Sequence, residues 1–295
     1  MRTRVVIGAV LGAALCAPAA FAVDKGFNAN NFYPTVDPFG YVTVAGARSL
    51  RTGKLHAKAV FNWANDPLEF PGGKLIDDWT FVHLIAGFGL LEIGNGGLSL
   101  GVDVPLVLDN DGNELFSGER IDEFEISDVR AEAKLVLMDR EDDAIGIFAR
   151  GFIEFPAGSV REFVSTLQDR PTVNLFAGLE KQLGPLRLGI EVGWTWIEGK
   201  IELPGVTIDD KLHLRAGVGL TPFPNDLADL EIVFEVHHWA RLSNLYEEEF
   251  ESPVELGGGI KYTGFIDLMV GGSTGVDRGV GAPDGRFFFS LGVNL

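Results

Sequence analysis

The stretch LRLGIEVGWTW, residues 186–196, alternates between apolar residues and polar or small ones. Leucine, isoleucine, valine and tryptophan occupy one parity, whereas Arg187, Glu191 and Thr195 share the other parity with two glycines. Successive residues of a strand point to opposite faces, so a period of two predicts a β-strand with two unlike faces. What the apolar face packs against depends on the rest of the chain.

The N-terminus has the pattern of an export signal. Met1–Arg4 is basic, Val5–Leu15 is apolar, and Ala20–Ala22 has the small-x-small form of a cleavage site. This pattern predicts a signal peptide over residues 1–22, and its apolar run is too short to cross a bilayer. The single cysteine, Cys16, lies within it, so the mature chain is expected to form no disulfides.

The charge and composition narrow the class of protein further. The formal charge is −18, and loss of Arg2 and Arg4 with the leader lowers it by two, to −20. Such acidity argues against nucleic acid as a partner and against docking on anionic lipid. Beyond the leader there is no run of about twenty apolar residues of the kind that a spanning helix needs. With 38 glycines and few helix signals, the sequence indicates an all-β exported chain.

The same alternation recurs along most of the mature chain. It is strict over residues 98–108, 129–137, 173–180, 212–220 and 286–295, and looser over 55–63, 145–155, 230–239, 254–262 and 265–273. Residues 79–91 are apolar on both parities apart from Thr80 and His83, so the sequence leaves their orientation open.

Connections between these strands alternate between short and long. The short ones span residues 92–97, 139–143, 181–185, 221–229 and 263–264; the long ones span 66–78, 109–125, 157–170, 197–211, 241–253 and 274–284. A soluble sandwich also has one apolar face per strand, but it has no reason to produce this asymmetry. Short periplasmic turns and long outer loops are typical of an up-and-down membrane barrel.

Aromatic residues on the apolar face support the barrel. If the short turns are periplasmic, the outer strand ends carry Trp63, Phe155, Trp194, Trp196 and Phe287, and an inner end carries Tyr262. Such a girdle is typical of the membrane–water boundary. The apolar faces are therefore expected to meet lipid, the polar faces to line an interior, and the sheet to close on itself.

Strand direction predicts the number of strands. If the last strand runs into the periplasm, residues 54–65 run outward and residues 54–295 form a barrel of about twelve strands. Residues 23–53 are then left over, either as a plug in the lumen or as a periplasmic piece. A fourteen-strand barrel would need residues 27–33 as another strand, which their asparagine content disfavours. At twelve strands, both a narrow pore and a plugged barrel are consistent with the size.

The predicted interior is rich in charged residues of both signs. The candidate lumen-lining residues are Arg130, Glu132, Lys134, Arg150, Glu154, Glu180, Arg187, Glu191, Arg215, Glu231, Glu235, Lys261 and Arg286, together with Glu255 and Asp267. Mutual pairing that rigidifies the wall is one interpretation, and a constriction that selects solutes by charge is the other. Because the signs nearly balance, most of the negative surplus is expected in loops such as residues 246–251.

Catalytic and metal motifs are weak. Residues 271–275 match G-x-S-x-G, but they lead from a strand into a loop instead of a helix, which disfavours Ser273 as a nucleophile. A lipid-facing serine and histidine pair is not evident either, because His238 alone has that parity once the unoriented His83 is set aside. Residues 109–114 resemble a calcium loop in composition but not in spacing, so a surface turn is favoured. The sequence therefore predicts no enzyme, cofactor or metal site.

The whole mature chain resembles bacterial outer-membrane β-barrels. FNANNFYPTVDPFGYV, residues 27–42, and GVGAPDGRFFFSLGVNL, residues 279–295, look like the barrels of OmpA-like proteins. The resemblance implies the Gram-negative outer membrane, lipid around the barrel, and a C-terminal strand that engages the barrel assembly machinery. It supplies no functional residues. The expected function is porin-like passive transport of small polar solutes, and the alternative is a non-conducting structural or surface-interaction barrel.

Overall fold

A computed structural model describes residues 28–70, 73–113, 120–121, 124–158, 165, 170–203, 206–243, 245, 252–277 and 280–295. Across these ranges no helix is long and apolar enough to cross a membrane. The predicted leader, residues 1–22, and the acidic run 246–251 lie outside the described residues.

Twelve antiparallel strands make up one closed sheet in the described chain. They are β1 (Leu55–Phe70), β2 (Gly73–Ile93), β3 (Gly96–Asn113), β4 (Val129–Met138), β5 (Gly146–Phe155), β6 (Thr172–Leu183), β7 (Leu186–Trp196), β8 (Lys211–Leu220), β9 (Leu230–Arg241), β10 (Val254–Thr263), β11 (Ile266–Asp277) and β12 (Gly285–Asn294). Each strand pairs with the next along the chain, and β12 pairs with β1 through registers such as His56 with Asn294. The predicted antiparallel up-and-down barrel is therefore confirmed.

Four further short strands in the described chain are not among the twelve strands of the cylinder. Arg120–Ile121 and Glu125–Ile126 each pair with β3. Ile201–Leu203 and Val206–Ile208 form a separate hairpin between β7 and β8.

The side chains of β7 point alternately into the barrel and to its outer surface, as the sequence predicts. Arg187, Glu191 and Thr195 are buried inside the barrel, whereas Ile190 and Trp194 are exposed on its outer surface. The aromatic residues predicted for the girdle, Trp63, Phe155, Trp194, Trp196, Tyr262 and Phe287, are all exposed as well. An uninterrupted apolar outer surface is what hydrocarbon requires of a closed barrel.

The structure also orients residues 79–91. Trp79, Phe81 and His83 are buried in the interior, while Leu84 is 46% exposed on the outer face. Aromatic residues on the inner face explain why both parities of this strand read as apolar.

Two of the long loops predicted from the sequence are wrong. Residues 66–78 are mostly strand, because β1 runs to Phe70 and β2 begins at Gly73. Residues 109–113, expected in a surface turn, continue β3, with Asp111 opposite Asp78. These strands extend past the apolar belt at the end of the barrel that carries the long loops. There the side chains no longer face lipid, so the backbone can pair as a strand without an apolar face.

Residues 28–50, here called the lumenal segment, lie inside the barrel without forming a strand. Its turns are held internally, by Thr35 N–H to Val42 O at 3.0 Å and by Tyr41 N–H to Val44 O at 2.8 Å. Apolar side chains of the segment pack on inward side chains of the wall in one cluster: Phe32, Val36, Tyr41, Val42 and Val44 with Val60, Ile85, Val233, Met269 and Phe288. The buried core of the protein is therefore in the lumen.

Glycines in the wall make room for the Tyr41 side chain of the segment. A Cβ on Gly217 would lie 2.7 Å from the Tyr41 ring, and one on Gly189 would lie 2.9 Å from it. The Arg187 guanidinium covers the same ring at 3.8 Å from its centroid. The Tyr41 ring therefore packs closely against the backbone of β7 and β8.

Candidate lumenal site

All thirteen candidate lumen-lining residues point into the barrel, as their strand parity predicts. Eleven of them are buried, and Glu231 and Glu235 are half-buried. The structure brings them into two groups of contacts, one within the wall and one between the wall and the lumenal segment.

Inward arginines pair with carboxylates of the wall itself. The N–O distances are 3.2 Å for Arg130–Asp103, 2.6 Å for Arg150–Glu191, 2.9 Å for Arg187–Glu180, 2.6 Å for Arg187–Glu231, 3.8 Å for Arg215–Glu191 and 2.9 Å for Arg286–Glu255. A buried charge is costly unless it is paired and hydrogen-bonded. These pairs compensate the arginine charges within the wall, and four of the five arginines also donate to backbone carbonyl oxygens of residues 34–43.

Inward lysines find their acceptors on the lumenal segment instead. Lys134 Nζ lies 2.6 Å from Asp37 Oδ2 and 2.8 Å from the carbonyl oxygen of Arg48. Lys261 donates to the carbonyl oxygens of Pro38 and Gly40.

Two further lysines point inward and are not among the thirteen candidates; Lys211 shares this pattern, whereas Lys58 lies beside one acid of the segment and one acid of the wall. Lys211 donates to Asn31 Oδ1 at 3.3 Å, and Lys58 is buried beside Asp37 and Asp267. Among the described residues, none of the four lysines lies within 4 Å of a wall carboxylate.

Wall carboxylates also hold the backbone of the segment. Glu235 accepts hydrogen bonds from the N–H groups of Val42, Thr43 and Val44 at 3.0–3.2 Å and from the Thr43 hydroxyl at 2.9 Å. Glu180 accepts one from the N–H of Ala47 at 2.6 Å. Three successive N–H groups around one carboxylate form a concave anion-binding arrangement of the backbone.

The segment is attached by side chains and not by a strand ladder. In the described part of the chain, one backbone–backbone hydrogen bond joins residues 28–50 to the rest, from Arg140 N–H in a turn to Ala47 O at 3.0 Å. The hydrogen bonds that close the wall are therefore independent of the segment.

Open space is concentrated at the end of the barrel with short turns. A vestibule of about 1200 Å³ lies there, lined by residues that include Arg48, Arg51, Asp139 and Arg140. Deeper cavities within the described residues have volumes of about 30 and 10 Å³; the first has room for about one or two waters and the second for one at most. In the described lumen, the segment separates the vestibule from the other end.

Comparison with solved structures identifies the fold. An outer-membrane channel from Pseudomonas putida F1 superposes with a TM-score of 0.60 at 12% identity, over 84% of this chain and 98% of that one. The chain folds as a bacterial outer-membrane β-barrel. The NanC porin gives a TM-score of 0.51 at 12% identity, over 81% of this chain and 98% of the porin. No protein-family model and no curated protein matches the sequence.

The narrower resemblance to OmpA-like barrels stays a prediction. At 12% identity, the likeness to the two solved barrels concerns the fold.

The lumen of this outer-membrane barrel also contains aromatic rows that the sequence analysis did not select. Neighbouring ring centroids lie 4.7–5.7 Å apart along Tyr33, Phe152, Phe176, His213, His237 and Trp239. Arginine guanidinium groups lie over the rings, for example Arg215 at 4.6 Å from the Phe176 centroid. For the five wall residues of this row, inward strand parity was the available signal; Tyr33 lies in the lumenal segment, which has no strand periodicity.

The serine and histidine considered above as catalytic candidates form contacts within the barrel. Ser273 donates a hydrogen bond to Glu255, a carboxylate that Arg286 also contacts. His238 Nδ1 lies 3.0 Å from the carbonyl oxygen of Pro253. Across the described ranges, no group of three or more histidine, cysteine or acidic side chains is arranged to hold a metal ion.

Proposed function

We propose that the protein is a channel of the Gram-negative outer membrane through which small polar solutes diffuse passively, and that residues 28–50 close it. The apolar outer belt supports a lipid environment. The fold it shares with an outer-membrane channel and with a porin supports transport as the role of the barrel.

One observation carries this proposal: the lumenal segment fills the barrel but belongs to none of its strands. Because the wall closes through its own hydrogen bonds, withdrawal of the segment would leave an intact cylinder. The inner surface of that cylinder would carry the charged groups of the wall, which water and polar solutes can contact, together with the apolar side chains on which the segment packs.

A non-conducting structural barrel is the second candidate. The close packing of Phe32, Val36 and Tyr41 against the wall favours it, since that apolar contact opposes withdrawal of the segment. In this alternative the segment is a permanent core.

Single-channel recording separates the two candidates. We expect the purified mature chain in a planar bilayer to show discrete openings. Replacement Glu235→Gln should raise the fraction of time spent open at least tenfold, because three backbone N–H groups of the segment then lose an ionised acceptor.

The matched control is Glu255→Gln. It removes the same charge from the neighbouring strand, where Glu255 contacts Arg286 and Ser273 instead of the segment backbone. Its open fraction should stay near that of the wild type. If wild type and both variants insert but pass no current, the non-conducting barrel replaces the channel.

A further inference from the structure

In the open pore, inward arginines would keep their carboxylate partners, whereas inward lysines would lose their acceptors. The arginines keep their wall carboxylates whether or not the segment is present. The acceptors of Lys134, Lys211 and Lys261 leave with the segment. Withdrawal therefore exposes ammonium groups in particular.

Asp37 occupies the place of an anionic ligand. Its carboxylate is buried, accepts a hydrogen bond from Phe39 N–H at 2.8 Å and contacts the Lys134 ammonium at 2.6 Å. Burial alone would raise the pKa of Asp37, but the ammonium of Lys134 and the N–H of Phe39 hold it below its usual range. The carboxylate is consequently ionised at neutral pH.

A second ammonium holds the adjoining residues. Lys134 lies on β4 and Lys261 on β10, and Lys261 contacts the carbonyl oxygens of Pro38 and Gly40. Residues 37–40 therefore sit between two ammonium groups from different parts of the wall. Their oxygen atoms mark positions where the oxygens of a free anion would be held.

The exposed carboxylates do not cancel these charges. Glu235 would lose the N–H groups that it binds, and Glu154 would keep only Asn174, whose Nδ2 lies 2.9 Å from its Oε2. Asp267 of β11 also stays in the wall, beside Lys58 and Lys261. Four lysines, with Lys58 included, are then opposed by three acids, Glu154, Glu235 and Asp267, and one positive charge remains in excess. The remaining charges described above stay paired within the wall.

We propose that Lys134 and Lys261, with Lys58 beside them, form a binding site for small anions with a carboxylate group, which Asp37 occupies in the closed barrel. The open pore is then selective for anions, and an anion entering from the vestibule competes with residues 37–40 for the two ammonium groups. This proposal rests on the proposed channel function.

Ion selectivity tests the proposal directly. In a potassium chloride gradient across a planar bilayer, open wild-type channels should pass chloride in preference to potassium. The double variant Lys134→Gln/Lys261→Gln should lower the chloride-to-potassium permeability ratio at least threefold while it increases the open fraction. Lys181→Gln removes the same charge from the exposed surface of β6 and should leave the ratio unchanged.

Potassium acetate tests the competition for the site. At equal ionic strength, acetate in place of chloride should raise the open fraction of the wild type but not that of the double variant. Hydrogen–deuterium exchange of the amides of residues 39–44 provides a readout without current, and acetate should accelerate it in the wild type alone.

The outcomes separate this proposal from the channel itself. Channels that conduct but prefer potassium, or a double variant with an unchanged permeability ratio, would overturn the anion site and leave the channel standing. An absence of current in every variant would reject the channel and the selective pore with it. Exchange that acetate does not change would reject the binding site on its own.

Discussion

Lys134 of the wall and Asp37 of the lumenal segment form a buried ion pair, with Nζ and Oδ2 2.6 Å apart. Loss of one partner of such a pair leaves the other charge buried without compensation. The pair therefore fixes where the segment sits in the barrel more than it contributes to the stability of the wall. Its two residues are 97 positions apart in the chain.

Removal of the Asp37 charge should loosen the segment. A hydrogen bond to a charged group contributes about 1.5–3 kcal/mol, so Asp37→Asn should raise the open fraction of single channels about ten- to a hundredfold. Asp142→Asn, an exposed acid at the vestibule, is the control and should have little effect. An Asp37→Asn channel that opens no more often than the wild type would show that the pair does not hold the segment.

Acid should open the barrel through the same pair. The pKa of Asp37 is lowered in the docked segment, so its contribution is complete above the pKa of a free carboxyl, about 4, and is lost as the pH falls through the lower docked value. We expect the open fraction to rise below about pH 4 in the wild type.

Asp37→Asn is the internal control for this pH dependence. Lys134, Lys58 and the N–H of Phe39 face the carboxyl, and Asp37 is the only acid in this set, so the acid response should come from Asp37 itself. The variant should therefore be open more often at neutral pH and change less on acidification. An equal acid response in both proteins would assign the effect to another group.

A charged residue on the outer face of β7 should destabilise the barrel more, the deeper it lies in the membrane. Ile190 lies in the middle of the strand and is 53% exposed, so Ile190→Arg should lower the free energy of unfolding in lipid by about 2–4 kcal/mol. Leu183→Arg, at the turn between β6 and β7, should cost about 0–1 kcal/mol. Urea titration of the protein folded into vesicles measures both. Equal costs at the two positions would contradict a lipid-facing belt.

The strands could be predicted from the sequence because their periodicity is local. In β7, side chains point alternately to lipid and to the packed lumen. These two environments select different residue types, so the type of each residue indicates which side it faces. Residues 66–70 and 109–113 lacked that signal. Residues 109–113 are polar and continue β3 beyond the apolar belt, and residues 66–70 continue β1 although they contain a proline, so both stretches look like loops in composition.

The contacts of the lumenal segment could not be predicted in this way. Residues 28–50 have no periodicity, and their partners lie far along the chain, as with Glu235, which is 193 positions from Val42. The positions of Lys134 and Lys261 in the alternating pattern of their strands predict that both point into the barrel. This pattern could not show that their acceptors would be on the segment, because pairing depends on which groups meet across the lumen.

The most direct test of the account is to tether the lumenal segment inside the barrel. A Cβ built on Gly101 of β3 lies 3.0 Å from the Cβ of Val36, close to the ~3.5–4.5 Å that a disulfide spans. The only native cysteine is Cys16 of the predicted leader. Val36→Cys/Gly101→Cys therefore offers one reversible cross-link, with each single variant as a control.

Single-channel current through this double variant is the decisive measurement. We expect no openings after oxidation, openings after reduction, and no response to either treatment in the single variants. If the cross-linked protein conducts as freely as the reduced one, withdrawal of residues 28–50 does not open the barrel and the account is wrong.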